Sequence, residues 1–143
     1  MNSSRALVLF AVVIALAGVV IHVGAVFAGP SWFQFFNAPP SIVASARAGT
    51  WLAPASALVI AALMGVCALC GASATGLVGR FPLLRVGLTG MAVACLVRAL
   101  LLPLLVVHHP ELRTTFEVVS ALIWGTAGVG FAAGVRIAGA GPN

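Results

Sequence analysis

The stretch Ala6–Ala28, ALVLFAVVIALAGVVIHVGAVFA, decides what kind of molecule this is. Its only polar side chain is His22, and it exceeds the ~20 residues that an α-helix needs to cross a ~30 Å hydrocarbon core. A helix apolar on every face must be buried all round or sit in lipid. Arg5 ahead of the run and Val26-Phe27-Ala28 at its end could also serve a secretory leader cut after Ala28. Leader cores run only ~7–15 residues, however, so the run reads as a retained span.

Working outward, three more runs of the same kind follow, at about 51–73, 86–107 and 118–138. The chain as a whole is 62% hydrophobic and 6% charged, with a mean hydropathy of +1.21. A soluble domain of 143 residues could not cover its exterior with so few polar groups. The expected fold is therefore all-α: an integral membrane four-helix bundle forming one transmembrane domain over residues 1–143. Its longest connection, Gly29 to Thr50, carries Trp32, Phe33, Phe35 and Phe36 and then Pro39-Pro40. Aromatic clusters favour the headgroup zone. Ser41 is an N-cap for a short helix over 42–47, and the whole segment should lie in the interface as a partial lid. Thr50 is the expected N-cap of the second span.

The net charge is +5, all seven basic residues are arginine, and the acids are Glu111 and Glu117 alone. The arginines sit singly or in pairs at the ends of apolar runs, unlike the hydrated basic face of a nucleic-acid binder. Nucleic acid is therefore excluded, and the lipid bilayer is the expected partner. Arg5, Arg80, Arg85 and Arg136 fall on one side and Arg47 and Arg113 on the other, which by the positive-inside bias puts both termini in the cytoplasm. An Arg-only basic set in an Ala- and Gly-rich chain fits a GC-rich bacterial genome, and hence the bacterial inner membrane.

Small residues recur every four positions as Ala57, Ala61 and Gly65, and Gly130 and Gly134 form a GxxxG step. Such ridges let helices approach closely in lipid, either within the chain or between copies in a homo-oligomer. Cys67, Cys70 and Cys95 lie inside apolar runs, where cysteines act as small apolar residues.

Arg98 is the informative polar residue. It lies nine positions before Val107, roughly 13 Å from the end of its span at 1.5 Å per residue, and an arginine at that depth is costly unless it meets the bundle interior, a hydrated cavity or a partner. His22 lies at a similar depth in the first span. Glu117 is the nearest counter-charge on another helix, and Pro103 loosens the turn beyond Arg98 by removing the N–H that would bond Ala99. Arg98, His22, Glu117, Trp51 and Ser120 form the expected ligand-binding set, an outward-facing polar pocket for a small anionic or polar solute or a lipid headgroup. Arg98 could equally serve to lock the bundle, and His22 to bond across helices.

No catalytic set, cofactor motif or complete metal site is recognisable. Paired His108 and His109 near Glu111 read as a hydrated loop, with a divalent cation as the alternative. In size and four-span layout the chain resembles the small multidrug-resistance transporters. Their hallmark is a membrane-embedded Glu in the first helix, and His22 stands alone there, so that family's proton coupling is not carried over. Two further readings stay open: a non-catalytic accessory or assembly subunit, and an interfacial enzyme acting on a lipid or quinone.

Overall fold

The computed structural model describes residues 3–110 and 113–140. Six helices follow one another: α1 (Ser3–Ala28), α2 (Pro30–Phe35), α3 (Pro40–Arg47), α4 (Leu52–Ala74), α5 (Leu84–His108) and α6 (Thr115–Gly139). Among the described residues there is no strand. Helices α1, α4, α5 and α6 are long and apolar enough to cross a membrane, and their ends differ from those expected by at most three residues. Their outer faces are apolar: Val20, Phe27, Leu100, Leu104 and Leu122 are all exposed. Water would not tolerate so continuous a surface. The protein is an integral membrane protein.

The chain divides into two compact units, Ala15–Val66 and Met1–Ile14 with Cys67–Asn143. In the first, the later part of α1 runs antiparallel to the early part of α4. Gly18 lies under the side chain of Met64, Gly65 faces Val19, and Ala25, Ala53 and Ala57 share a buried cluster with Phe33. Helices α2 and α3 cover that cluster through Trp32, Ile42 and Val43. Trp32 Nε1 donates to the carbonyl of Ile21 at 3.1 Å, so the cover is pinned to α1. The segment between α1 and α4 thus forms two short helices, not one.

Three helix ends use the same stop. Asn37, Gly49 and Gly76 have φ of 53°, 66° and 75°. The next amide in each case bonds back five residues: Ala38 to Phe33, Thr50 to Ser45 and Leu77 to Ala72. This is the Schellman geometry that a left-handed Asn or Gly permits.

The helix starts depart from expectation. Ser41 does not cap α3, whose N-cap is Pro39 with Pro40 at the first helical position, where a missing N–H and a fixed φ are assets. Nor does Thr50 cap α4. Buried Ser45 does so from the preceding helix, accepting from Ala53 N at 3.0 Å while its hydroxyl meets Thr50 Oγ1 at 2.6 Å.

In the second unit the early part of α1, the end of α4, and α5 and α6 pack through glycines. A Cβ on Gly71 would lie 2.5 Å from Val12 Cγ2, on Gly128 2.8 Å from Leu96 Cγ, and on Gly130 2.5 Å from the Leu7 carbonyl oxygen. The small-residue ridges pack within the chain: Ala57 and Ala61 are buried, Gly65 faces Val19, and Gly130 and Gly134 face α1 and α5. Arg85 Nε donates to the carbonyl of Ala138 at 3.3 Å, closing the last turn of α6. Val8 against Gly71 and Gly134, and Cys70 against Gly87, bring the start of α1, the α4–α5 turn and the end of α6 to one end of this unit. Arg5, Arg80, Arg85 and Arg136 belong to that end.

Candidate functional site

The one ion pair that is seen among the described residues joins α5 to α6: Arg98 Nη2 lies 3.6 Å from Glu117 Oε2. Both residues owe their placement to the antiparallel α5–α6 seam, along which Leu88 meets Gly134, Leu96 meets Gly128 and Ala99 meets Gly125. Glu117 precedes Gly125 by eight residues, so its Cα stands about 12 Å farther toward the α5 C-terminus than Arg98. The guanidinium bridges that gap by extending along α5 toward its C-terminus, against the backward tilt of the Cα–Cβ bond.

Glu117 is fixed by its own helix start. Thr114, the N-cap of α6, accepts from Glu117 N through its hydroxyl at 3.2 Å. Thr114-Thr115-Phe116-Glu117 has the spacing of a capping box. The positive end of the helix dipole also favours a carboxylate in the first turn. Ser120, half-buried, follows one turn later.

The two side chains are unequally open. Relative exposure is 44% for Arg98 and 11% for Glu117, so the accessible half of the pair is the cation. At 3.6 Å the contact is electrostatic and too long for a hydrogen bond. A guanidinium carries five N–H donors in a rigid fork matched to oxyanions. Glu117 is its one charged partner among the described residues.

The other expected ligand residues, His22 and Trp51, belong to the other unit. His22 Nδ1 donates to the carbonyl of Gly18 at 2.8 Å. That bond occupies Nδ1 within α1 and leaves Nε2 as the ring's other polar atom. Trp51 is 76% exposed at the α3–α4 corner, a position suited to an interfacial anchor. His108 closes α5 as the basic residue of its last turn, and His109 N bonds the carbonyl of Leu105 at 2.8 Å. Glu111, the third member of the suggested cation site, lies outside the described residues; among the described ones no group of three His, Cys, Asp or Glu side chains is placed to hold a metal.

The sequence reading did not register the Thr114–Glu117 box, although its T-x-x-E spacing is a sufficient signal. It also missed an apolar groove along the α5–α6 seam, lined by Ala99, Leu102, Pro103, Val118, Leu122 and Thr126 among others. Comparison with known proteins matches no family model, no curated protein and no solved structure.

Proposed function

We propose that this membrane protein binds a small oxyanion or an anionic lipid headgroup at Arg98, and transports it or holds it there. Glu117 is the internal counter-charge that keeps the guanidinium in place between ligands. The observation that carries this reading is a guanidinium midway along a spanning helix, with nearly half its surface open and, among the described residues, no direct hydrogen bond to the protein. An arginine serving only to lock helices would spend its donors on carbonyls and a carboxylate within hydrogen-bond range. Ser120, one turn beyond Glu117, is a neutral polar neighbour for such a ligand. The excess of arginine at the end carrying Arg5, Arg80, Arg85 and Arg136 supports cytoplasmic termini and a bacterial inner-membrane location.

The test is binding to purified full-length protein. Soluble anions are probed with inorganic phosphate and succinate, and lipids with phosphatidylglycerol against phosphatidylcholine nanodiscs. Arg98→Gln should weaken anion binding at least tenfold while far-UV circular dichroism stays unchanged, Arg98→Lys should retain part of it, and Glu117→Gln, which removes the competing carboxylate, should tighten it several-fold. Wild-type affinity in a folded Arg98→Gln protein would overturn the reading.

A further inference from the structure

At the end of α5 and α6 remote from Glu117, two arginines meet. Val8 of α1 and Leu88 of α5 both pack on Gly134 of α6, and both are fully buried. Arg85 precedes Leu88 and Arg136 follows Gly134 by so little that each stands about 3–5 Å beyond that layer, on the same side of it. There α5 begins, at Leu84, and α6 ends, at Gly139. The two arginines therefore mark the level at which two spanning helices leave hydrocarbon and lipid phosphates are found.

The side chain of Arg85 crosses from α5 onto α6. Its Nε donates to the Ala138 carbonyl at 3.3 Å, and its Nη2 lies 2.8 Å from where a Cβ on Gly139 would be. Position 139 is one turn along the same face from Arg136, and Cβ positions so related are ~5–6 Å apart. The Arg136 side chain thus starts within about 9 Å of the Arg85 guanidinium. The Ala138 bond uses Nε alone and leaves the N–H groups of both Nη atoms to a ligand. Both arginines are exposed, and like charges this close repel. Glu117, the acidic residue among the described ones, stands about 33 Å from Gly139 along α6, and Glu111 precedes α6 in the sequence.

Along the spans the surface next to this pair is apolar. Val86, beside Arg85, continues as an exposed stripe through Val93 and Val97, and exposed Val129 and Leu122 follow Arg136 at heptad steps along α6. Cations at the helix ends above apolar stripes match an amphiphile, not a soluble anion.

We propose that Arg85 and Arg136 together hold the phosphate of one anionic phospholipid, whose acyl chains run along those stripes. The phosphate gives each guanidinium fork its acceptors and offsets the repulsion between them. A zwitterionic lipid brings a cation of its own and offsets less. Arg98 lies about 20 Å from Arg85 along α5, so this site is distinct from the anion site proposed above.

The experiment uses full-length protein carrying Arg98→Gln, which removes that other site and lets the two readings fail separately. The protein is reconstituted in nanodiscs of phosphatidylcholine with increasing phosphatidylglycerol, and the lipid retained on it is counted by native mass spectrometry. Phosphatidylglycerol should be preferred about twentyfold, and Arg85→Gln and Arg136→Gln should each lower that preference about fivefold. Arg136→Gln is the cleaner of the two, since among the described residues Arg136 makes no bond that its loss would break. Arg5→Gln and Arg80→Gln remove the same charge from the same end and should change the preference less than twofold. The same series in the wild-type background should rank the variants in the same order. Excess inorganic phosphate should displace none of the retained lipid. An unchanged preference in Arg136→Gln, equal losses in all four variants, or displacement by inorganic phosphate would each overturn the proposal.

Discussion

Replacing Gly130 by alanine puts a methyl group where α1 and α6 already touch. Its Cβ would stand 2.5 Å from the Leu7 carbonyl oxygen and 2.6 Å from Ala11 Cβ, where ordinary contact begins at 3.4 Å. Neither obstacle can rotate aside, so the two helices must part by about 1 Å along a close-packed seam. Overpacking typically costs ~1–3 kcal/mol, and a backbone obstacle places Gly130→Ala near the upper end. Alanine's better helix propensity returns ~1 kcal/mol, leaving a net loss of about 2 kcal/mol.

Gly134 is the internal control on the same GxxxG step. A Cβ there meets Leu88 Cδ2 at 3.3 Å and Val8 Cγ2 at 3.6 Å, side-chain ends that can yield a few tenths of an ångström. The strain and propensity effects should then nearly cancel, leaving Gly134→Ala within about 0.5 kcal/mol of wild type. Unfolding in mixed micelles by titration with sodium dodecyl sulfate, followed by circular dichroism, measures both. Equal losses in the two variants, or a Gly130→Ala protein as stable as wild type, would refute the assignment of these glycines to intrachain packing.

Thr114→Ala removes the hydroxyl that caps Glu117 N and should lower stability by about 1 kcal/mol in the same titration. Ser45→Ala leaves the buried Ala53 amide without its acceptor and should cost ~1–3 kcal/mol, more than Ser41→Ala, which removes no cap. Trp32→Phe keeps the ring but loses the bond to Ile21, and should cost ~0.5–1.5 kcal/mol; proteolysis within 29–50 should accelerate with it.

The spans were legible because lipid imposes one rule, a long apolar run, that no tertiary contact has to rescue. Asn37, Gly49 and Gly76, which stop three helices at positive φ, went unread as helix stops, although Asn and Gly are the residues that adopt that conformation. The helix starts were no more legible. Ser41 and Thr50 have the right chemistry for caps, but Pro40 and the distant Ser45 fill those roles, and a cap supplied by another helix leaves no mark in local sequence. Depth along each span made Glu117 the nearest counter-charge to Arg98 on another helix, yet left their Cα atoms about 13 Å apart along the axis. It could not reveal that the guanidinium extends toward Glu117, because side-chain direction depends on the α5–α6 register that Gly125, Gly128 and Gly134 set. The GxxxG step was visible, whereas the choice between an internal and an external partner was decided by α1 folding onto it.

First-turn amides of a helix usually exchange with solvent freely because nothing upstream receives them. In α4 the Ala53 amide is instead held by a hydroxyl of α3, and Ala53 itself is fully buried. The α3–α4 corner is thereby a rigid elbow, not a hinge, and a displacement of the early part of α4 carries α3 with it without slack. At the opposite end, the indole bond of Trp32 and the packing of Phe33 beside Ala25 tie α2 to α1. Any breathing of this cover should begin by unseating Trp32, and the Ala53 amide at the elbow should exchange more slowly than the other first-turn amides of the long helices.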